Sequence, residues 1–474
     1  MEKVFVDISR NSRLILIFAG WGMDSAPFRT LAKPGYDILV VSDYTGFDPV
    51  SDIPELARKC AGYDEIVVLA WSFGVRIAQE FLSAAKGKLP VTGAIAVNGT
   101  TTHVDDLRGI SQSVFSGTLT NLSPATVRKF RRRMFSSASG FEAFQNVAPS
   151  RGFESLRDEL DTFASLEPVA PDPALWDLAV GGTCDAIFPI AAQRCGWQGV
   201  SFREEPDMPH FPDFQKIIDC DIVDKQLVAS RFAAAATTYT DNASVQTGVA
   251  MHLWDAARTH VDTCLKSISP RKADIVEVGA GTGTLTRLYA ASLSDHDVEL
   301  WDIAPAAPQS IPEGFEFRCC DAETAIRGCA DSSADIILSA SALQWFNSPV
   351  SFVRESLRVL RPGGLLALSV FGPQTYREIS SVTGVSLNYP SLDALLGAVA
   401  AEEVILAEES FLTGMFDSAR DVLRHMKLTG VNALPPRGSG ETLRLVRNYP
   451  LTAGGKAPLT YNPVYIIVKK RQNG

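Results

Sequence analysis

Short apolar runs, each followed by a stretch with helical spacing, recur along the whole chain. In the first half they are "RLILIFAG" (13–20), "YDILVVSD" (36–43), "EIVVLAWS" (65–72), "GAIAVNGT" (93–100) and "LWDLAVGG" (175–182). The runs are continuous rather than alternating. That marks strands buried on both faces, hence a parallel sheet with helices on either side. Residues 105–165 break the rhythm and read as a polar helical cap over the sheet. The second half carries "ADIVEVGA" (273–280), "DVELWDI" (297–303), "FEFRCCDA" (315–322), "ADIILSAS" (334–341), "GGLLALSV" (363–370), "EEVILAEES" (402–410) and "YNPVYIIVKK" (461–470). These predict a second, doubly wound α/β sheet. The stretch between, "FPDFQKIIDCDIVDKQLVASRFAAAATTY", has no strand pattern. The boundary therefore falls near residue 220, with one domain over 1–218 and another over 222–474.

Composition narrows the function classes. With 46% apolar and 21% charged residues the chain is a folded globular protein. A net charge of −10 argues against a general nucleic-acid binder. The start, "MEKVFVDISRNSR", has early acidic residues and no apolar core of a signal peptide. No run of about 18 apolar residues is present, so a cytoplasmic protein with no membrane partner is expected. The eight cysteines form no C-x-x-C pair, and adjacent Cys319 and Cys320 suit a disulfide poorly. They read as reduced thiols, with no metal site.

Ala70-Trp71-Ser72-Phe73-Gly74 follows a strand and precedes "VRIAQEFL", a helical pattern. That is the strand-to-helix elbow G-x-S-x-G with Ala70 for the first glycine, and it turns Ser72 outward as a nucleophile. The plain alternative is a serine capping the helix. A serine nucleophile needs an oriented base, in the chain order Ser, acid, His. Of the two histidines in this half, His103 comes too early, and His210 in "PDMPHFPDF" stands where the base belongs. The acid is Asp185 in "AVGGTCDAIFP", with Asp177 as the second candidate. The oxyanion hole takes the Phe73 amide and a second one from "FAGWGMDS", Trp21 or Gly22. In the cap, "VRKFRRRMF" places Arg128, Lys129, Arg131, Arg132 and Arg133 within six residues of an acidic protein. This is either a solvated helix face or a docking patch for an acidic partner that delivers an acyl chain.

In the second half "EVGAGTG" joins a strand to the helical "TLTRLYAASL". Gly279, Gly281 and Gly283 let the backbone approach a ligand closely. The spacing departs from the dinucleotide fingerprint. Glu277 is placed for the amino-acid part of a ligand, Asp302 for ribose hydroxyls and Asp321 for an adenine amino group. The four positions in this order point to S-adenosyl-L-methionine rather than NAD. A carboxylate acceptor needs no general base but a cation to orient it. Arg231, Arg424 and Lys427 are the candidates.

The stretches "DKQLVASRFAAAATTYTDNASVQ", "SASALQWFNSP", "FGPQTYREI", "LRHMKLTGVNAL" and "PLTYNPVY" make the second half resemble the malonyl-acyl-carrier-protein O-methyltransferases of biotin synthesis. The resemblance implies that Tyr239 and Gln246 help close the methyl-donor pocket. The first half, through "FAGWG" and "WSFG", resembles the pimeloyl-carrier-protein methyl ester esterases over most of 10–215. Together they imply a bifunctional enzyme. Methylation hides the malonyl carboxylate, whose burial in an apolar elongation pocket would cost too much. A serine esterase later unmasks the pimeloyl ester. Both substrates ride on acidic acyl carrier protein, which would dock on the Arg128–Arg133 patch. Two rivals remain: a thioesterase or esterase fused to a natural-product methyltransferase, and a non-catalytic first half that only recruits carrier protein.

Overall fold

Apolar strands that end in glycine-bearing turns pack into two sheets, one in each half of the chain. The computed structural model describes residues 1–472 apart from 306–310, 385, 388 and 432–438, and apart from the side chains at 240, 439 and 441. The end of "LRHMKLTGVNAL", residues 432–434, lies outside the described residues. The chain divides into two compact units, Met1–Asp219 and Cys220–Gly474.

The first unit is built on seven strands: β1 (Glu2–Asp7), β2 (Arg13–Phe18), β3 (Tyr36–Ser42), β4 (Glu65–Trp71), β5 (Val91–Val97), β6 (Leu178–Cys184) and β7 (Phe202–Pro209). Their order is β1-β3-β2-β4-β5-β6-β7, with only β1 antiparallel. Leu14, Ile15, Leu16, Ile17 and Phe18 of β2 are fully buried, as strands covered on both faces must be. The helices α1 (Pro49–Cys60) and α2 (Gly74–Ala85) follow β3 and β4. Between β5 and β6 lie four cap helices: α3 (Gln112–Thr120), α4 (Pro124–Arg133), α5 (Ala138–Gln145) and α6 (Phe153–Ser165). After β6 come α7 (Ile190–Gly196) and, past β7, α8 (Phe214–Asp221).

Two of these strands carry no long apolar run. β1 has only the three-residue apolar run "VFV" and is at most half-buried, and "FREEPDMP" of β7 is mostly polar and half exposed. Both stand at the sheet edges, where a strand needs few apolar side chains.

The second unit begins with two long helices, α9 (Lys225–Asn242) and α10 (Ser244–Ile268). Its sheet comprises β8 (Asp274–Val278), β9 (Asp297–Asp302), β10 (Glu316–Cys319), β11 (Ala334–Ala340), β12 (Leu360–Phe371), β13 (Glu403–Glu409) and β16 (Pro463–Lys469). The order is β10-β9-β8-β11-β12-β16-β13, and β16 runs antiparallel to both neighbours. The chain reverses its direction of travel between β8 and β11, the crevice where open α/β sheets bind ligands. α11 (Thr286–Leu293) follows β8. A small sheet of β14 (Leu412–Phe416) and β15 (Ala457–Tyr461) lies outside the runs read from the sequence. No helix among the described residues is long and apolar enough to cross a membrane.

Candidate active sites

Ser72 sits at the carboxyl end of β4 with φ +57°, a left-handed conformation that costs a non-glycine residue about 1 kcal/mol or more. The turn is held by close packing. A Cβ on Gly74 would lie 2.4 Å from the carbonyl oxygens of Phe18 and Ala19, and one on Gly99 would lie 2.3 Å from that of Ser72. Ala70, at the first glycine position of this motif, is a strand residue with 0% exposure and no such constraint on φ.

His210 follows β7 directly. Its Nε2 lies 3.1 Å from Ser72 Oγ and its Nδ1 lies 2.9 Å from Asp185 Oδ2. Asp185 follows β6, and its other oxygen accepts the amides of Ile187 (2.7 Å) and Phe188 (2.8 Å). Gln193 of α7 also donates to Asp185, at 3.3 Å. Asp177 stands at the opposite end of β6, where it takes the Ala94 amide at 2.8 Å and joins β5 to β6. His103 is buried on the Phe163 carbonyl, 2.9 Å away, and burial pulls it down to about 4. Asn98, which the sequence reading passed over, clamps the base: its Nδ2 donates to the carbonyls of Pro209 (2.8 Å) and His210 (3.0 Å). The signal available was an asparagine closing an apolar run before glycine.

The two loop amides separate clearly. The Gly22 N–H donates to Glu159 Oε2 at 2.9 Å, so it is spent. The amides of Trp21 and Phe73 donate to no described residue. Glu159 of α6 is fully buried, accepts the Tyr44 amide as well, and is paired with Arg151 at 2.6 Å. Burial raises its carboxyl pKa in spite of Arg151. Residues of the cap thus fix the loop that carries Trp21. The Trp21 indole also donates to the Leu156 carbonyl at 2.9 Å and packs edge-on against Phe130 of α4.

The basic run is helix α4 and is only partly free. Arg133 donates to the Ala186 carbonyl, beside the acid, at 2.7 Å, and Arg132 to the Phe135 carbonyl at 2.8 Å. Arg131 is half-buried, and Arg128 and Lys129 are exposed.

In the second unit a cleft of about 1090 Å³, open to solvent, lies over the glycine loop. Gly279, Gly281 and Gly283 have φ of +74°, +53° and +79°, and a Cβ on Gly279 would meet that of Ala342 at 2.3 Å. Glu277, Asp302, Asp321, Tyr239 and Gln246 all line the cleft. Asp302 accepts the Gly281 amide at 2.7 Å and so ties β9 to the loop. Asp321 Oδ1 accepts from Lys225 Nζ (3.2 Å), while its Oδ2 is buried without a partner among the described residues. Lys225 is further held by Glu323 at 2.6 Å. Glu277 accepts hydroxyls from Thr286 and Tyr289, and burial pushes it up to about 7. Arg231, Arg424 and Lys427 are corrected by the structure: they are exposed and line neither this cleft nor the recess beside it.

Residues 1–219 match the family described as "Pimeloyl-ACP methyl esterase BioG", and residues 276–368 match "Methyltransferase domain". The chain is 34% identical over 473 residues to the malonyl-[acyl-carrier protein] O-methyltransferase of Bacteroides fragilis, covering 96% of this chain and 93% of that one. The protein of that name from Porphyromonas gingivalis is 32% identical over 260 residues, 52% of this chain and 96% of its own. Among solved structures, BioG from Haemophilus influenzae aligns at 31% identity and a TM-score of 0.37, over 44% of this chain and 92% of its own.

Gly99→Ala should destabilise the first unit by about 3 kcal/mol, because the new methyl meets backbone rather than a movable side chain. Gly117→Ala, in α3 with open space around it, should stabilise by about 0.5 kcal/mol. Urea unfolding of the two variants checks both signs. The raised Glu277 carboxyl binds a proton on folding between its ordinary 4.5 and about 7. Stability of the unliganded second unit should therefore fall as pH rises across that window and level off above it. Thermal melts of the full chain against pH should record the fall, and Glu277→Gln should lessen it, the raised carboxyls of Asp302 and Glu159 remaining.

Proposed function

The chain belongs to the malonyl-[acyl-carrier protein] O-methyltransferase family and is an enzyme of biotin synthesis, and from that premise we propose that it carries two activities. The second unit methylates the free carboxylate of malonyl-acyl-carrier protein. The first hydrolyses the methyl ester of pimeloyl-acyl-carrier protein to the acid and methanol. One observation carries the pairing: a Ser-His-Asp array with both hydrogen bonds formed stands in the same chain as a cleft whose bare Asp321 oxygen suits an exocyclic amine.

In the first unit Ser72 Oγ attacks the ester carbonyl while His210 Nε2 takes its proton. Asp185 holds the ring with Nδ1–H toward itself. The Trp21 and Phe73 amides face the oxygen on which charge develops, and such donors are worth about 3 kcal/mol each. His210 returns the proton to methanol, and water then releases the acyl group by the same route. Every polar group of this array is already paired or aimed, so little reorganisation opposes the reaction.

S-adenosyl-L-methionine supplies the electrophilic methyl group. The residues present fit it. Asp321 Oδ2 is an unpaired acceptor for the adenine amine, and Asp302 stands at the end of β9 for the ribose. The glycine turn admits close backbone approach, and Glu277 lies beneath that turn for the ligand's ammonium. Tyr239 and Gln246 border the methyl end. The exposed Arg128 and Lys129 of α4 offer cations to the acidic carrier protein.

Ser72→Ala should lower ester hydrolysis at least about a thousandfold while leaving malonyl methylation intact. Asp302→Ala should do the reverse. Purified full-length variants assayed on both carrier-bound substrates check this. Unchanged ester cleavage in Ser72→Ala would favour a docking role for the first unit, and indifference of the wild type to both substrates would favour the other fusion.

A further inference from the structure

Beside the cleft lies a smaller recess, and the residues common to the two include Gln246, Ser341 and Trp345. These shared residues carry bare polar atoms. Gln246 Nε2, Ser341 Oγ and Trp345 Nε1 are buried and meet no partner among the described residues. Gln246 is 5% exposed and Trp345 7% exposed. Each such atom costs about 1–3 kcal/mol when left unmet, so three unmet donors on residues that line both the recess and the cleft point to a ligand that meets them. The set also includes two bare acceptors, Gln246 Oε1 and Gln344 Oε1, which suit donor groups of the ligands rather than an anion. Gln344 spends its Nε2 on the Ser341 carbonyl at 2.5 Å, which steadies the turn that presents Ser341.

No Lys, Arg or His is among the described residues lining the recess. Among the described residues lining the larger cleft the one cation is Lys225, which is bound to Asp321 and Glu323. Burial raises the hydroxyl pKa of Tyr239 and Tyr376 on the recess wall, so these too stay neutral.

We infer that the acceptor carboxylate is held by the uncharged donors Gln246, Ser341 and Trp345 rather than by a cation of the described residues, an inference that rests on the carboxylate methylation proposed above. The chemistry favours it. A carboxylate oxygen forms the O–CH3 bond as the C–S bond breaks with its electron pair staying on sulfur, and no proton moves. One negative and one positive charge vanish together. A guanidinium in the recess would repel the incoming sulfonium and stabilise the carboxylate before reaction. Neutral donors orient it at less cost in nucleophilicity, and a dry recess strengthens attraction between the two reactants. The same donors reject acyl groups that lack a carboxylate, because they would remain buried and unmet.

Trp345→Phe and Ser341→Ala each remove one donor and keep the surrounding shape. In the full chain each should raise KM for malonyl-carrier protein about tenfold or more, the loss expected for a hydrogen bond to a charged group. Binding of S-adenosylhomocysteine, read by calorimetry, should stay within about twofold, which also reports correct folding. Gln246→Arg should weaken binding of S-adenosylmethionine, which carries the sulfonium, more than that of S-adenosylhomocysteine, and should lower turnover. Unchanged KM in both donor variants, or a tenfold rise in Arg231→Ala, Arg424→Ala or Lys427→Ala instead, overturns the proposal. Failure of the unaltered chain to methylate malonyl-carrier protein overturns the underlying reading itself.

Discussion

The structure depends on how closely backbone can approach backbone where a parallel strand turns into a helix. At Gly74 and Gly99 a single added carbon would collide with carbonyl oxygens at 2.4 and 2.3 Å. At Gly279 it would collide with Ala342 at 2.3 Å. These approaches bring neighbouring turns together at the carboxyl ends of the strands. There, side chains from distant parts of the chain meet: the Ser72–His210 contact spans 138 residues. Any side chain at those glycines would open the turns and separate the reacting groups.

The two sites then treat polar atoms in opposite ways. In the first unit the base and acid are satisfied before substrate arrives: Asp185 accepts three hydrogen bonds besides that of His210, and Asn98 and Trp71 both donate to the His210 carbonyl. A site that must stabilise a brief oxyanion gains from such fixed dipoles. The second unit leaves Asp321, Gln246, Ser341 and Trp345 with bare atoms. A site that must recognise two ligands and add little else gains from unmet donors and acceptors, which ligands alone can satisfy.

The cap shows how a segment outside the sheet enters the chemistry. Glu159 takes the Gly22 amide and leaves that of Trp21, while Arg133 and Met134 of the cap bond the loops bearing Asp185 and His210. The basic run, whatever partner it meets, is therefore also part of the frame around the triad.

Much was legible in the sequence because the deciding signals are local. Continuous apolar runs marked the inner strands, the order of Ser72, Asp185 and His210 followed the chain, and the glycine spacing at 279–283 set the methyltransferase turn apart from a dinucleotide loop. Edge strands such as β7 were not legible, since a half-exposed strand needs no apolar run. Nor could spacing choose between Asp177 and Asp185, which flank one strand at opposite ends, or between the amides of Trp21 and Gly22, which adjoin in sequence but not in use. Nor does the sequence tell that the cations Arg231, Arg424 and Lys427 stay exposed while the donor atoms of Gln246, Ser341 and Trp345 are buried. Periodicity and turn chemistry act between near neighbours, so the sequence determined the elements and their order. Which polar atoms end up buried, paired or bare depends on contacts between distant segments, and only the tertiary structure decided that.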